Sequence, residues 1–209
     1  MALSFRIANW AAWPVEDAAL PMAMRRRASA VGQRALKTAL AVLPPDLAPR
    51  YVLSSRHGEI TRTTNLLTAL AEDGEVSPAE FSMAVHHGLA GLLSIHTGNK
   101  QGHTAVAAGA DSFAYGLIEA ATTAAESGKP VLHLHFDEPL PGIYAPVAGD
   151  PDNDAIVALL IDPAVGETYT IAPAPQPDGT GDLAAGFVEF IRSGAPSGGA
   201  GRWRWSHGG

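Results

Sequence analysis

The sequence predicts one α/β domain, a layered mixed β-sheet with helices packed on it. Three features carry that prediction. Short β-type runs alternate along the chain with stretches whose apolar residues recur at helical spacing, the pattern of a layered α/β fold. Glycine or a proline pair punctuates the helical stretches. Finally, 209 residues, 46% hydrophobic and 17% charged, supply enough apolar surface for one sizeable core.

The first strand is expected over 3–13, "LSFRIANWAAW", with Phe5, Ile7 and Ala8 among its apolar members. An amphipathic helix follows over 29–43 and is stopped by Pro44-Pro45. Residues 50–58 read as a strand ending at Gly58, and 60–74 as a helix closed by Gly74. The next helix runs from a capping box, Ser77-Pro78-Ala79-Glu80, to Gly98. Phe81, Val85, Leu89 and Leu92 form its wide apolar stripe, and Ala84, Gly88, Gly91 and Ile95 a narrow one. Glycine inside a helix costs up to about 1 kcal/mol relative to alanine. Gly88 and Gly91 therefore imply close approach of another backbone, from the following strand or a partner subunit.

A strand over 104–107 then meets a small-residue elbow, Ala108-Gly109-Ala110, and a helix that starts at Asp111 or Ser112 and ends at Gly128. A strand over 129–136 follows, then an adjacent strand pair at 154–162 and 167–173, and a closing helix at 182–192. The buried set is expected to include Val85, Leu89, Leu92, Ile95, Val106, Leu117, Leu132 and Leu134. The domain spans 1–193, and 194–209 read as a flexible glycine-rich tail, mobile except near Trp203 and Trp205.

A formal net charge of −7 argues against nucleic-acid partners, which need a basic surface. Arg25, Arg26 and Arg27 form a local basic run, either a solvated face or a docking spot for an acidic partner. The absence of cysteine excludes disulfides, thiolate metal sites and a cysteine nucleophile. No apolar run approaches bilayer-spanning length, and Arg6 interrupts the N-terminal apolar stretch, so no membrane segment or signal peptide is read and a cytoplasmic location is expected.

His133 and His135 alternate on one strand face with Asp137 beyond them, a spacing that offers three metal ligands. With no further ligand cluster nearby, the preferred reading is a packed strand face with satisfied polar tips and no metal. His86 and His87 project about 100° apart on a helix, so one can face the elbow while the other is solvated. There is no G-x-S-x-G motif, and Ser112 falls in the first helical turn, where it reads as a cap. Ser94 lies mid-helix, and no phosphate loop occurs. Strand, elbow and helix N-terminus together make a scaffold suited to a nucleophile, because the helix dipole favours developing negative charge there. The apex carries none.

The stretch Ser77–Ala121 resembles the amino-terminal half of the β-ketoacyl synthases of the thiolase-like superfamily. "SPAEFSMAVHHGLAGLLSIHTG" is similar to their V-x-N-x-x-A-G-x-x-[ST]-I helix, with His87 where the family has asparagine, and "TAVAAGADSFAYGLIEAA" to their T-A-C-[ST]-S elbow and helix. Upstream, "PMAMRRRASAVGQRAL" and "SSRHGEITRTTNLLTALA" resemble a shorter subfamily, the chain length factors of aryl polyene gene clusters, so that the likeness covers about 1–165. The resemblance implies a thiolase-like half fold. It places the catalytic cysteine on Ala110, or with a one-residue shift on Gly109, and neither can attack a thioester. The family's later half, which brings two catalytic histidines, has no counterpart by motif, so no catalytic residue is assigned and no cofactor is expected.

The implied role is a noncatalytic partner of an active β-ketoacyl synthase, with side chains that shape its acyl tunnel. Phe81, Val85, His87, Gly88, Gly91, Thr104 and Val106 are the tunnel and interface residues the resemblance points to. An acyl carrier protein would take part indirectly, with Arg25, Arg26 and Arg27 as its docking candidates. The rival reading is a free-standing homodimer that binds an acyl or aromatic ligand in the remnant pocket.

Overall fold

β1 (Leu3–Ala12), the first element of the chain, lies inside the sheet, flanked on both sides by strands from the last third of the sequence. The computed structural model describes residues 2–16, 19–147, 154–178 and 181–208. The remaining strands are β2 (Arg50–Ser54), β3 (His103–Val106), β4 (Val131–His135), β5 (Val157–Ile161), β6 (Glu167–Asp178) and β7 (Ser197–His207). They form one sheet in the order β3-β2-β4-β5-β1-β6-β7. β2 is parallel to both β3 and β4, and the other pairings are antiparallel, so the sheet is mixed.

The helices are α1 (Met22–Arg25), α2 (Ala30–Val42), α3 (Ile60–Asp73), α4 (Pro78–Met83), α5 (Gly88–Thr97), α6 (Ser112–Ser127) and α7 (Leu183–Ser193). Strand period decides which face each residue serves. Val52, Val131, Val157, Leu159, Ile161, Phe5 and Ile7 pack with Phe113 and Leu117 of α6 and Phe187 of α7. Tyr51, Leu53, Leu132, Leu134, Ala158 and Leu160 pack with Leu36 of α2 and Leu89 and Leu93 of α5. Central strands covered on both faces need apolar residues at every position, which is why β5 reads Val-Ala-Leu-Leu-Ile. Helix starts follow the expected chemistry. Ser29 Oγ accepts the Gly32 N–H at 3.0 Å, Ser77 Oγ accepts from Glu80, and Asp182 Oδ1 accepts the Ala184 N–H at 2.7 Å. None of the described helices is long and apolar enough to cross a membrane.

Three expectations are corrected. The helix expected over 77–98 is two helices, α4 and α5, with a turn at 84–87. Gly88 makes this break possible, because a Cβ there would sit 2.8 Å from the Met83 carbonyl oxygen. The close backbone is thus the chain's own, and among the described residues nothing lies within 4 Å of a Cβ built on Gly91. The turn also shifts the phase of the apolar stripe. Leu89 and Leu92 are buried, whereas Val85 (49% exposed) and Ile95 (75%) face outward. Leu117, Leu132 and Leu134 are buried as expected, and Val106 is half-buried against the α6-side core.

The strands expected as an adjacent pair at 154–162 and 167–173 are separated by β1: Ile7 is level with Ile161 on one side and Glu167 on the other. Alternation identifies a strand but not its neighbour. The third correction concerns the tail. Residues 197–207 form β7 on β6, and Trp203 and Trp205 are buried. Trp205 meets Phe187 edge-on at 5.4 Å, and this aromatic packing outweighs the conformational entropy of the surrounding glycines.

Candidate functional site

The elbow joins the margin of the sheet to α6. Among the described residues β3 pairs with β2 alone, which leaves its outer edge open there. At the ends of this ladder the Tyr51 N–H donates to the Gly102 carbonyl and the Ser55 N–H to the Val106 carbonyl. By the period of two, His103 and Ala105 turn their own backbone groups outward. Past Val106 the backbone turns through Ala108 (φ −137°, ψ 37°) and Gly109 (φ +59°), then makes a single 3₁₀ turn over Gly109–Asp111 before α6. Glycine suits that left-handed position because it has no Cβ to clash. Ser112, expected as a cap, ties the elbow together instead. Its buried hydroxyl donates to the Gly109 carbonyl at 2.7 Å and accepts the Ala108 N–H at 2.9 Å. Gly109 and Ala110 are exposed and present no nucleophilic atom.

Beneath α6 lies a buried polar cluster. Ser54 Oγ is 2.8 Å from His133 Nε2 and 2.9 Å from His135 Nδ1, and the Phe113 ring covers both imidazoles. Burial lowers both histidines, His135 to about 3, so both are neutral. Gly116 brings α6 onto this spot, since a Cβ there would lie 2.5 Å from the Ser54 Cβ and 2.6 Å from His133 Nε2. Asp137 stands at the edge of this cluster, its Oδ2 3.7 Å from His135 Nε2, and takes its hydrogen bonds from the segment after β2. Its Oδ1 accepts from Ser55 Oγ (2.7 Å), Arg56 N–H (2.9 Å) and His57 N–H (3.3 Å), and burial pushes its carboxyl up to about 6. The three side chains do not converge on a metal, and no group of three or more ligand residues does so among the described residues.

The residues expected at the interface form two neighbouring groups. Phe81 (61% exposed), Val85 and His87 stand on α4 and the turn after it. Thr104 and Val106 are half-buried on β3, and Arg50 reaches across to the Thr104 hydroxyl at 3.3 Å. His87 connects the groups, with its ring 4.8 Å from that of His103. His86 faces the other way, against Gly58. Arg25, Arg26 and Arg27 are exposed, while their backbone is pinned: Gln33 donates to the Arg25 carbonyl and Arg62 to the Arg27 carbonyl.

Arg62 also anchors a cluster that the motifs did not reveal. It is buried, it pairs with Glu59 at 3.5 Å and with Glu80, and burial raises the Glu59 carboxyl. These groups sit beside an open cavity of about 390 Å³ lined by Ser29, Leu66, Ala69 and Glu138 among others.

Residues 7–185 match the family model described as beta-ketoacyl synthase, N-terminal domain. No curated protein matches the chain. Among solved structures, the chain is similar to one in the complex of the ketosynthase ApeO with its chain length factor ApeC from Xenorhabdus doucetiae. That likeness has 27% identity and a TM-score of 0.83, and covers 98% of this chain and 99% of the other. It shares a fold with the ishigamide ketosynthase/chain length factor (14% identity, TM-score 0.65, covering 92% and 74%). The same holds for a type II polyketide synthase acyl-carrier protein complex with its hexaketide-bound ketosynthase (11%, TM-score 0.60, covering 84% and 71%). With the mixed sheet, the elbow before α6 and the family match over most of its length, the chain belongs to the β-ketoacyl synthase N-terminal domain family, with a thiolase-like fold.

Proposed function

We propose that this chain is a noncatalytic ketosynthase-like subunit of the chain length factor type. It pairs with an active β-ketoacyl synthase and shapes that enzyme's acyl tunnel in fatty-acid or polyketide-like synthesis, with aryl polyenes as the product class. The observation that carries this reading is the elbow: its backbone is built, but Gly109 and Ala110 stand where an attacking side chain is needed. Covalent acyl transfer requires such a group. The open edge of β3 supplies the second support, because an unpaired strand edge invites pairing with another chain. Likeness to a chain of a ketosynthase–chain length factor complex supports the same reading.

In this role the subunit contributes shape. Phe81 and Val85, exposed beside the His87–His103 contact, face the partner and limit the space for a growing chain. The exposed Arg25–Arg27 run offers the acidic acyl carrier protein a docking point by charge complementarity. Co-expression with the ketosynthases encoded in the same genome, followed by size-exclusion chromatography, tests the pairing. A stable 1:1 complex is expected. A homodimer that ignores every ketosynthase would favour a free-standing binding protein instead.

A further inference from the structure

β7 doubles back on itself. Its backbone turns at Gly201 (φ +52°), and the His207 N–H donates to the Pro196 carbonyl at 3.0 Å, so the segment is a hairpin with two arms. The turn of that hairpin reaches the elbow, and Asp111 is where they meet. Asp111 immediately precedes α6, yet its side chain makes no capping bond to the helix. Its Oδ1 accepts the Trp203 indole N–H at 2.7 Å, and its Oδ2 meets Arg202 Nη2 at 2.7 Å. Arg202 Nη2 also donates to the Tyr115 hydroxyl at 3.2 Å, one helical turn further along. The guanidinium lies over the rings of Tyr115 and Trp203, and those rings meet edge-on at 5.5 Å.

We propose that the β7 hairpin is a clasp that sets the position of the elbow, with Arg202 and Trp203 as positioning residues. Ser112 ties the elbow to itself, but Ala108, Gly109 and Ala110 carry no side chain long enough to anchor it to the rest of the fold. Asp111 supplies the anchor, and the hairpin grips both its oxygens. One donor is a buried indole, and the other is charged, which makes the bond charge-assisted. Arg202 is half-exposed, so its ion pair alone contributes little; the indole bond and the stacked rings complete the grip. Because β3 runs directly into the elbow, the clasp also fixes the open edge. That consequence for partner binding rests on the pairing proposed above, whereas the clasp itself does not.

Amide hydrogen exchange on the isolated chain tests the clasp, whatever partner binds. Wild type is compared with Arg202→Gln, Trp203→Phe and Arg202→Lys. The hydrogen-bonded amides within 104–112, those of Ala108 and Asp111 among them, are expected to exchange at least about tenfold faster in the Gln and Phe variants, with β4 and β5 amides unchanged, as for a local opening. Arg202→Lys keeps the charge but not the planar group over the rings, and is expected to exchange between wild type and Arg202→Gln. Unaltered exchange over 104–112 would overturn the proposal. Equal acceleration throughout β4 and β5 would overturn it too, since the hairpin would then be a general stabiliser. Should Trp203→Phe fail to fold, Asp111→Asn removes the gripped charge at nearly constant shape and carries the same expectation.

Discussion

The His87 ring rests against the His103 ring, with centroids 4.8 Å apart and planes 49° from one another. This contact fastens the turn between α4 and α5 to the margin of the sheet, so the exposed Val85 and the open strand edge move as one surface. His87→Ala is expected to weaken ketosynthase binding about fivefold, in line with about 1 kcal/mol for an aromatic pair. Isothermal titration calorimetry on the purified pair measures it. An unchanged affinity would detach this turn from the interface.

Edge pairing has a cleaner probe than a buried charge. Ala105 turns its N–H away from β2, so Ala105→Pro removes only the outward donor, a change tolerated at sheet margins. The variant is expected to fold with wild-type circular dichroism and to lose the complex on size exclusion. Val106→Lys is expected to lose the complex as well, but its half-buried side chain packs on the core, so its melting temperature falls too.

Supplying a thiol does not supply a catalyst. The wild-type chain is expected to gain no acyl mass when incubated with an acyl donor, and Ala110→Cys is expected not to condense malonyl units. His133 and His135 lie beneath Phe113 and are held to Ser54, so they cannot move a proton at the apex. Intact-mass and product analysis check both statements, and a wild-type adduct would contradict the proposed function.

Acid should weaken the fold. Unfolded, His133 and His135 each take up a proton as pH falls through 6.5, while burial keeps both neutral in the folded chain, His135 down to about 3. Over that window each histidine removes about 1.4 kcal/mol of stability per pH unit. Asp137 works the other way. Its folded carboxyl, raised to about 6 from 3.8, takes up its proton first and offsets one histidine as pH falls between those values. Glu59 and Asp182, also raised by burial, trim the loss further at lower pH. Urea midpoints are expected to fall between about pH 6.5 and 5, and His135→Gln should flatten that slope.

Gly116 marks the tightest helix-to-sheet contact. A methyl group there meets Ser54 and His133 at 2.5–2.6 Å, so Gly116→Ala is expected to destabilise by about 2 kcal/mol, the usual scale of overpacking. For a chain of this size the melting temperature drops by about 4–8 °C.

Elements with local signals were legible in the sequence. Ser29, Ser77 and Asp182 start helices, and Gly74, Gly98 and Gly128 end them, because caps depend on neighbours in the chain. The elbow was legible too, from Thr104 through Ser112. Non-local features were not. Nothing in residues 154–173 says that β1 slides between the two strands, and nothing near Asp111 points to Arg202 and Trp203, 91 and 92 residues away. The glycines of 194–209 suggested a tail mobile except near Trp203 and Trp205, because composition does not disclose the Phe187 and Phe190 rings that Trp205 meets. The spacing of His133, His135 and Asp137 pointed to a packed strand face with satisfied tips but not to the groups that satisfy them, Ser54 at the end of β2 and Ser55 beyond it.

The placement of β1 has a consequence for how the chain is made. The ribosome releases Leu3–Ala12 long before its two neighbours, Val157–Ile161 and Glu167–Asp178. Until then both margins of this apolar ribbon stay unmet, and β4 lacks the neighbour that links it to β1. Pairings between such distant segments carry a large loop-closure entropy and slow folding. The nascent polypeptide therefore passes through a long interval with an unpaired apolar strand, during which a holding chaperone is most useful.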